Sequence, residues 1–334
     1  MRPDLPAIRL SAAGLSASLA AATIAVQFCA PLLHGTVLDA DITLSVLLFT
    51  AASVAHCWYR FGLRGVLGLL TAAGGLGFAA EVLGVHTGLP FGEYRYTGLR
   101  GPRVLNVPLL APLAWTMMAY PCQILARHLV RRRGPARPLV AALALASWDL
   151  YLDPQMVAAG QWVYLRPTPT LPGIPHVPAE NFAGWLLVAL VIETALTVLL
   201  SRAPARTSLS RVPGRKLPSR VPARDSDAGS LRADQIPARW ADRTPAVLLA
   251  WTWLGSAVAN LLFYWRPLLA LWGGIGMGIT VLPFLLRCRR PSPAEGACEE
   301  SQEERDQPRE GRMGSQEEQV HEREDRPAGA RRRP

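Results

Sequence analysis

VPLLAPLAWTMMAYPCQILARHLV (107–130), RRRGPAR (131–137) and PLVAALALASWDLYLDPQMVAAG (138–160) together decide the fold class. Two apolar runs of more than 20 residues flank a cluster of four arginines. A hydrocarbon core of roughly 30 Å calls for about 20 apolar residues in a helix, so each run reads as a membrane span. The arginines mark the cytoplasmic side. Apolar runs of the same kind recur at about 11–33, 42–59, 65–86, 184–201, 245–266 and 267–287. The expected fold is all-α: a polytopic transmembrane helical bundle of about eight spans, in the cell membrane, with both termini cytoplasmic. The run at 11–33 is longer than a usual signal-peptide core and lacks a clear small-residue cleavage site, so it reads as an uncleaved first span.

The arginine census supports that orientation. Arg60, Arg64, Arg127, Arg131, Arg202 and Arg287 fall on one side of an eight-span chain. Arg95, Arg100 and Arg103 fall on the other, and predict a loop folded back into the protein. The stretch 202–244 is rich in Pro, Ser and Arg and reads as a disordered basic cytoplasmic linker; 288–334 reads as a disordered charged tail. Residues 1–201 then hold spans 1–6 and 245–287 hold spans 7 and 8. The formal charge of +10 comes almost wholly from arginine, Lys216 being the sole lysine. The arginines flank apolar runs and no nucleic-acid motif accompanies them, which points to lipid headgroups and not to nucleic acid. The five cysteines include no CxxC pair, and the histidines show no HxxxH or HExxH spacing, so no metal site is expected.

Two outer connections depart from ordinary loop composition. HTGLPFGEYRYTGLRGPRVLNVP (86–108) carries Glu93, Tyr94 and Tyr96; QWVYLRPTPTLPGIPHVPAENFAGW (161–185) carries Trp162, Tyr164, Asn181 and Trp185. Aromatic residues at this depth also form headgroup belts, which explains the rings but not the carboxylates near them. Asp149 and Asp153 stand at i,i+4 on one face of the fifth span. A charged group there costs roughly 2.5–3.5 kcal/mol on insertion scales, and two ionised carboxylates repel, so the pair is expected to share a proton. Glu81 lies near the outer end of the third span and Glu193 near the middle of the sixth. Glu81, Asp153 and both loops approach the same side, where one pocket would gather them.

The segments EVLGVHTGLPFGEYRYTGLRGPRVLNVPLLAPLAWTMM (81–118), WDLYLDPQMVAAGQW (148–162) and IPHVPAENFAGW (174–185) resemble the membrane carotenoid biosynthesis proteins, which include carotenoid 1′,2′-hydratases and bisanhydrobacterioruberin hydratase. The resemblance spans roughly 40–285 outside the linker. It implies cofactor-free hydration of the terminal C=C bond of an acyclic carotenoid, with membrane lipids and other carotenoid pathway enzymes as partners. A protonated buried carboxyl suits that chemistry: it delivers a proton to the alkene, and water captures the tertiary cation. Asp149 or Asp153 is the candidate acid, and Glu81 or Glu93 the candidate water-positioning group. Trp148, Tyr94, Tyr96 and Trp185 are candidates to line the polyene end or cation site, with Asn181 bonding to water or product. An end-group cyclase and a carotenoid-binding or transport protein are the alternatives.

Overall fold

A computed structural model describes residues 5–98, 101–131, 134–203 and 242–289, with side-chain environments from Ala12 to Cys288. The expected linker (202–244) and tail (288–334) lie, apart from their ends, outside the described residues. The helices are α1 (Leu5–Cys29), α2 (Gly35–Leu69), α3 (Leu76–Thr87), α4 (Leu110–Leu129), α5 (Ala136–Ala158), α6 (Ala179–Arg202), α7 (Arg243–Val258) and α8 (Pro267–Arg289). A π-helical turn, Leu70–Gly75, joins α2 to α3, and another, Ala259–Phe263, extends α7.

The unbroken helical run from Gly35 to Thr87 is in fact two antiparallel arms. Gly62 holds φ 64° and ψ −163°, a conformation a side chain would strain. The neighbours show the reversal. Ser53 Oγ donates to Met117 O on α4 at 2.8 Å, and a Cβ on Gly74 would stand 3.2 Å from Thr116 Oγ1. Residues 53 and 74 therefore sit level with the same turn of α4, so the chain descends to Gly62 and climbs back. This separates the spans expected at 42–59 and 65–86.

With that division the helical segments alternate in direction. Arg60, His56, His128, Asp242 and Arg287 meet at one end of the bundle. Asp242 lies 3.4 Å from Arg60 Nε, 3.7 Å from His56 Nε2 and 3.0 Å from His128 Nε2; Arg287 Nη1 donates to His128 O at 2.8 Å. The opposite end carries the two motif loops and the α7–α8 corner. Trp253 Nε1 donates to Gly274 O at 2.8 Å, which closes α7 and α8 as the hairpin expected about Trp265-Arg266-Pro267.

Five stretches among the described residues are long and apolar enough to cross a bilayer: Ala12–Leu32, Gly35–Thr87, Ala179–Arg202, Arg243–Phe263 and Pro267–Cys288. Neither α4 nor α5 is among them. Their polar residues, Gln123 and Arg127 on α4 and Arg137, Asp149 and Asp153 on α5, lower their hydropathy while other helices cover them. The outward-facing Leu and Val of α2, α6, α7 and α8 leave an apolar perimeter, with Leu67, Val191, Leu254 and Ile279 each more than half exposed. The protein is thus a mostly helical membrane protein.

The all-α expectation misses one part. Strands β1 (Tyr94–Tyr96) and β4 (Trp162–Tyr164) pair antiparallel, with Tyr94 opposite Tyr164 and Tyr96 opposite Trp162. A second small ribbon joins β2 (Arg103–Val104) to β3 (Val107–Pro108). The first motif loop folds inward through its tyrosines and not through Arg95 or Arg103. Arg95 is exposed, Arg103 Nη2 donates to Gly98 O within the loop at 2.8 Å, and Arg100 lies outside the described residues.

Candidate active site in an apolar cavity

The β1–β4 ribbon covers the loop end of the bundle, and its period of two sorts its side chains. Tyr94, Tyr96, Trp162 and Tyr164 share the face turned toward the helices, while Arg95 faces away. Glu93 is two residues from Arg95 and turns outward with it, 3.4 Å from Arg166 Nε at an exposed position. The expected water-positioning role therefore has no support at Glu93.

Glu81, on α3, receives three hydrogen bonds. Tyr94 and Tyr96 hydroxyls donate to Oε2 at 2.6 and 2.8 Å, and Trp115 Nε1 donates to Oε1 at 2.9 Å. Charge-assisted bonds of this kind compensate a buried carboxylate. Trp115 reaches Glu81 because Gly77 leaves room: a Cβ there would stand 2.7 Å from Trp115 Cγ.

Asp149 and Asp153 form the second cluster with Asn181 of α6 and Tyr164. Asn181 Nδ2 donates to Asp149 Oδ2 at 2.8 Å and to Asp153 Oδ2. The Tyr164 oxygen lies 2.7 Å from Asp153 Oδ2 and 2.8 Å from Asn181 Oδ1. That hydroxyl owns a single hydrogen. If it donates to Asn181, the contact with Asp153 is a hydrogen bond only when Asp153 supplies a proton. If the Asn181 amide is reversed, its Oδ1 faces both carboxyl groups and those must donate. Either way the network is complete with at least one proton on the aspartate pair. Asp149 Oδ1 is buried with no partner among the described residues, which an ionised carboxylate tolerates poorly.

The clusters meet across the ribbon. Tyr94 and Tyr164 are directly opposed, with ring centroids 5.7 Å apart, and each sends its hydroxyl to a different carboxyl group. Trp115 stacks on Trp185 at 4.0 Å, and Trp148 meets Trp185 edge-on at 5.9 Å. These groups head a cavity of about 910 Å³ whose wall is otherwise mainly apolar. Glu81, Asp153, Asn181, Tyr94, Tyr96, Trp148 and Trp185 all line it. Asp149 is fully buried and absent from the wall, so it stands behind Asp153. At its other end the cavity reaches Phe28 of α1, Leu32 in the turn after it and Leu254 of α7, which are 72%, 69% and 51% exposed. The cavity therefore opens sideways, through the apolar perimeter.

The structure thus gathers every sequence-derived site residue except Glu93, with Asp149 one shell back. It adds Tyr164 and Trp115. Tyr164 is legible only once the loops are paired, and a lone tryptophan in an apolar run reads as packing. Glu193 lies fully buried on α6 away from the cavity, both carboxyl oxygens unpartnered among the described residues. No three His, Cys, Asp or Glu side chains converge as a metal site among the described residues.

These features define a class: a helical membrane protein with a mainly apolar cavity headed by carboxyl groups. A family model described as carotenoid biosynthesis protein matches residues 42–218, more than half of the chain, and the chain belongs to that family. It is also similar to a bisanhydrobacterioruberin hydratase of Haloarcula japonica, 32% identical over 133 residues. That match covers 39% of this chain and 44% of the relative, so less than half of the relative's length is spanned. No solved structure matches the chain.

Proposed function

We propose that this protein hydrates the terminal C=C bond of an acyclic carotenoid, with Asp153 as the proton donor. The observation that carries the reading is the Asp149–Asp153–Asn181–Tyr164 network, whose bonding needs a carboxyl proton at the head of a laterally open apolar cavity. The relative named as a hydratase supports the same reaction class. The carotenoid end enters from the bilayer between α1 and α7. The alkene π electrons form a C–H bond with the Asp153 proton, leaving a tertiary cation. Water supplies the lone pair for the new C–O bond, and the proton it sheds returns to the aspartate pair. The faces of Trp115, Trp148 and Trp185 stabilise the cation, and Glu81 provides the fixed negative charge. No cofactor is required by this balance.

In the same reading the chain crosses the bilayer eight times, and the arginine-rich end, with both termini, is cytoplasmic. Its partners are the carotenoid, the surrounding lipids and neighbouring carotenoid pathway enzymes. The aromatic box would serve an end-group cyclase equally well, because cyclisation also starts from protonation. Co-expression with an acyclic carotenoid pathway and mass spectrometry of the pigments separates the two. Hydration adds the mass of one water per modified end, lost in Asp153→Asn. An unshifted mass with a changed chromophore would identify a cyclase, and an unaltered pigment would refute both.

A further inference from the structure

One face of α2 forms a stripe along the cavity wall: Leu38, Asp41, Ile42, Ser45, Val46 and Phe49. This i, i+3, i+4, i+7 pattern is apolar except at Asp41 and Ser45, one turn or about 6 Å apart. Asp41 is only 9% exposed, and its carboxyl makes no hydrogen bond or ion pair among the described residues. Ser45 Oγ is buried and likewise unpartnered. A helical serine ordinarily returns its hydroxyl to the carbonyl one turn back, as Thr43 does to Asp39 at 2.8 Å. A carboxyl group lining the cavity and a buried, unbonded hydroxyl one turn further along the same wall are costly unless something bonds to them.

Their height in the bundle is fixed by Asp39, whose Oδ1 accepts from Gln161 Nε2 at 2.8 Å. Asp41 therefore sits level with the end of α5, and Asp153 lies deeper by about 9 Å, the rise of six residues. Tyr264 and Arg266 line the cavity too, and Arg266 stands over the Tyr264 ring at 5.9 Å.

We infer that Asp41 and Ser45 form a hydroxyl-binding station on the α2 wall of the cavity, shallower than the Asp153 acid. The hydroxyl donates to the Asp41 carboxyl and accepts from Ser45 Oγ, whose side chain rotates toward the cavity to meet it. It belongs either to the water that captures the cation or to a hydroxyl carried by the isoprenoid ligand. The first source rests on the hydratase reading; the second stands without it.

The test uses the full-length protein in lipid nanodiscs, with Asp41→Leu, Ser45→Ala and the isosteric Asp41→Asn, each checked for a native thermal transition. In D2O with an acyclic carotenoid, a cation that is not captured loses H⁺ from the carbon that received D⁺ and leaves deuterium in the recovered alkene. If the station holds water, Asp41→Leu lowers the ratio of alcohol to deuterated alkene about tenfold, the worth of one hydrogen bond to a charged group. If it holds a ligand hydroxyl, the wild type binds geranylgeraniol about tenfold tighter than the matching hydrocarbon by tryptophan quenching, and the variants lose that preference. Folded variants with an unchanged ratio and no change in binding preference overturn the inference. Wild-type protein giving neither alcohol nor deuterated alkene would defeat the hydratase reading, and binding alone would then decide the station.

Discussion

Gly77→Ala tests whether the Trp115–Glu81 contact matters to the chemistry. The added Cβ would stand 2.7–2.8 Å from Cγ, Cβ and Cδ1 of Trp115, where carbon contacts need about 3.5–4.0 Å. The indole must retreat by about 1 Å, which stretches the 2.9 Å Trp115–Glu81 bond beyond hydrogen-bonding range. Overpacking costs roughly 1–3 kcal/mol, while alanine regains up to about 1 kcal/mol of helix propensity, so the loss of stability is modest. The lost bond to a charged group is worth roughly 1.5–3 kcal/mol, and expressed in the transition state it slows turnover about ten- to a hundredfold. Trp115→Phe, which keeps the ring and removes the donor, should show the same loss. Pigment conversion and turnover in nanodiscs measure the rate, and thermal unfolding measures stability. Wild-type turnover in a folded Gly77→Ala protein would refute the claim that Trp115 holds Glu81 for catalysis.

Tyr164→Phe removes the hydroxyl that links Asp153 to Asn181, so turnover should fall at least about tenfold with little change in carotenoid binding; equal loss of binding would make Tyr164 a packing residue. Glu93→Gln or Arg166→Gln breaks only an exposed ion pair, and pigment conversion should stay within about twofold. Asp242, at the arginine-rich end, gives a pH prediction. Burial works to raise its carboxyl, but the His128 hydrogen bond and the Arg60, His56 and His128 charges hold it below the ordinary range. Its folded value therefore lies below its unfolded one. The stability it contributes is present above about pH 4 and is lost as pH falls through the folded value. Thermal unfolding of wild type should show that acid loss, and Asp242→Asn should be less stable at neutral pH with a flatter acid limb; parallel curves would refute the assignment.

The helices were legible because bilayer-length apolar runs constrain a chain strongly. The reversal near Gly62 was marked too, by the Arg60 and Arg64 that interrupt the apolar runs at 42–59 and 65–86, whereas the π turn before α3 leaves no comparable mark. At the site, the Asp149/Asp153 spacing and the intramembrane Glu81 were readable as charges that need partners. Which partner each has was not readable. Glu93 and Glu81 are equally acidic in the sequence, and only the strand alternation about Tyr94 sends Glu93 outward.

The ribbon also explains why two carboxyl groups can behave differently in one cavity. Residues 94 and 164 are 70 positions apart, yet their direct pairing fixes the gap between the Glu81 and Asp153 environments through two hydroxyls on adjacent rings. Glu81 faces donors, the Trp115 N–H among them unable to accept, and so suits a fixed charge. Asp153 shares its donors with Asp149 and comes up one hydrogen short, so it suits a proton. Slipping the β1–β4 register by one residue would turn the tyrosines of one strand outward, leaving Glu81 with Trp115 alone or Asp153 without its Tyr164 bond. The loops are thus part of the acid–base machinery, and a deletion of one residue within Tyr94–Tyr96 should abolish conversion while the helical content, measured by circular dichroism, persists. Conversion retained by that deletion would show that the helices alone set the two environments.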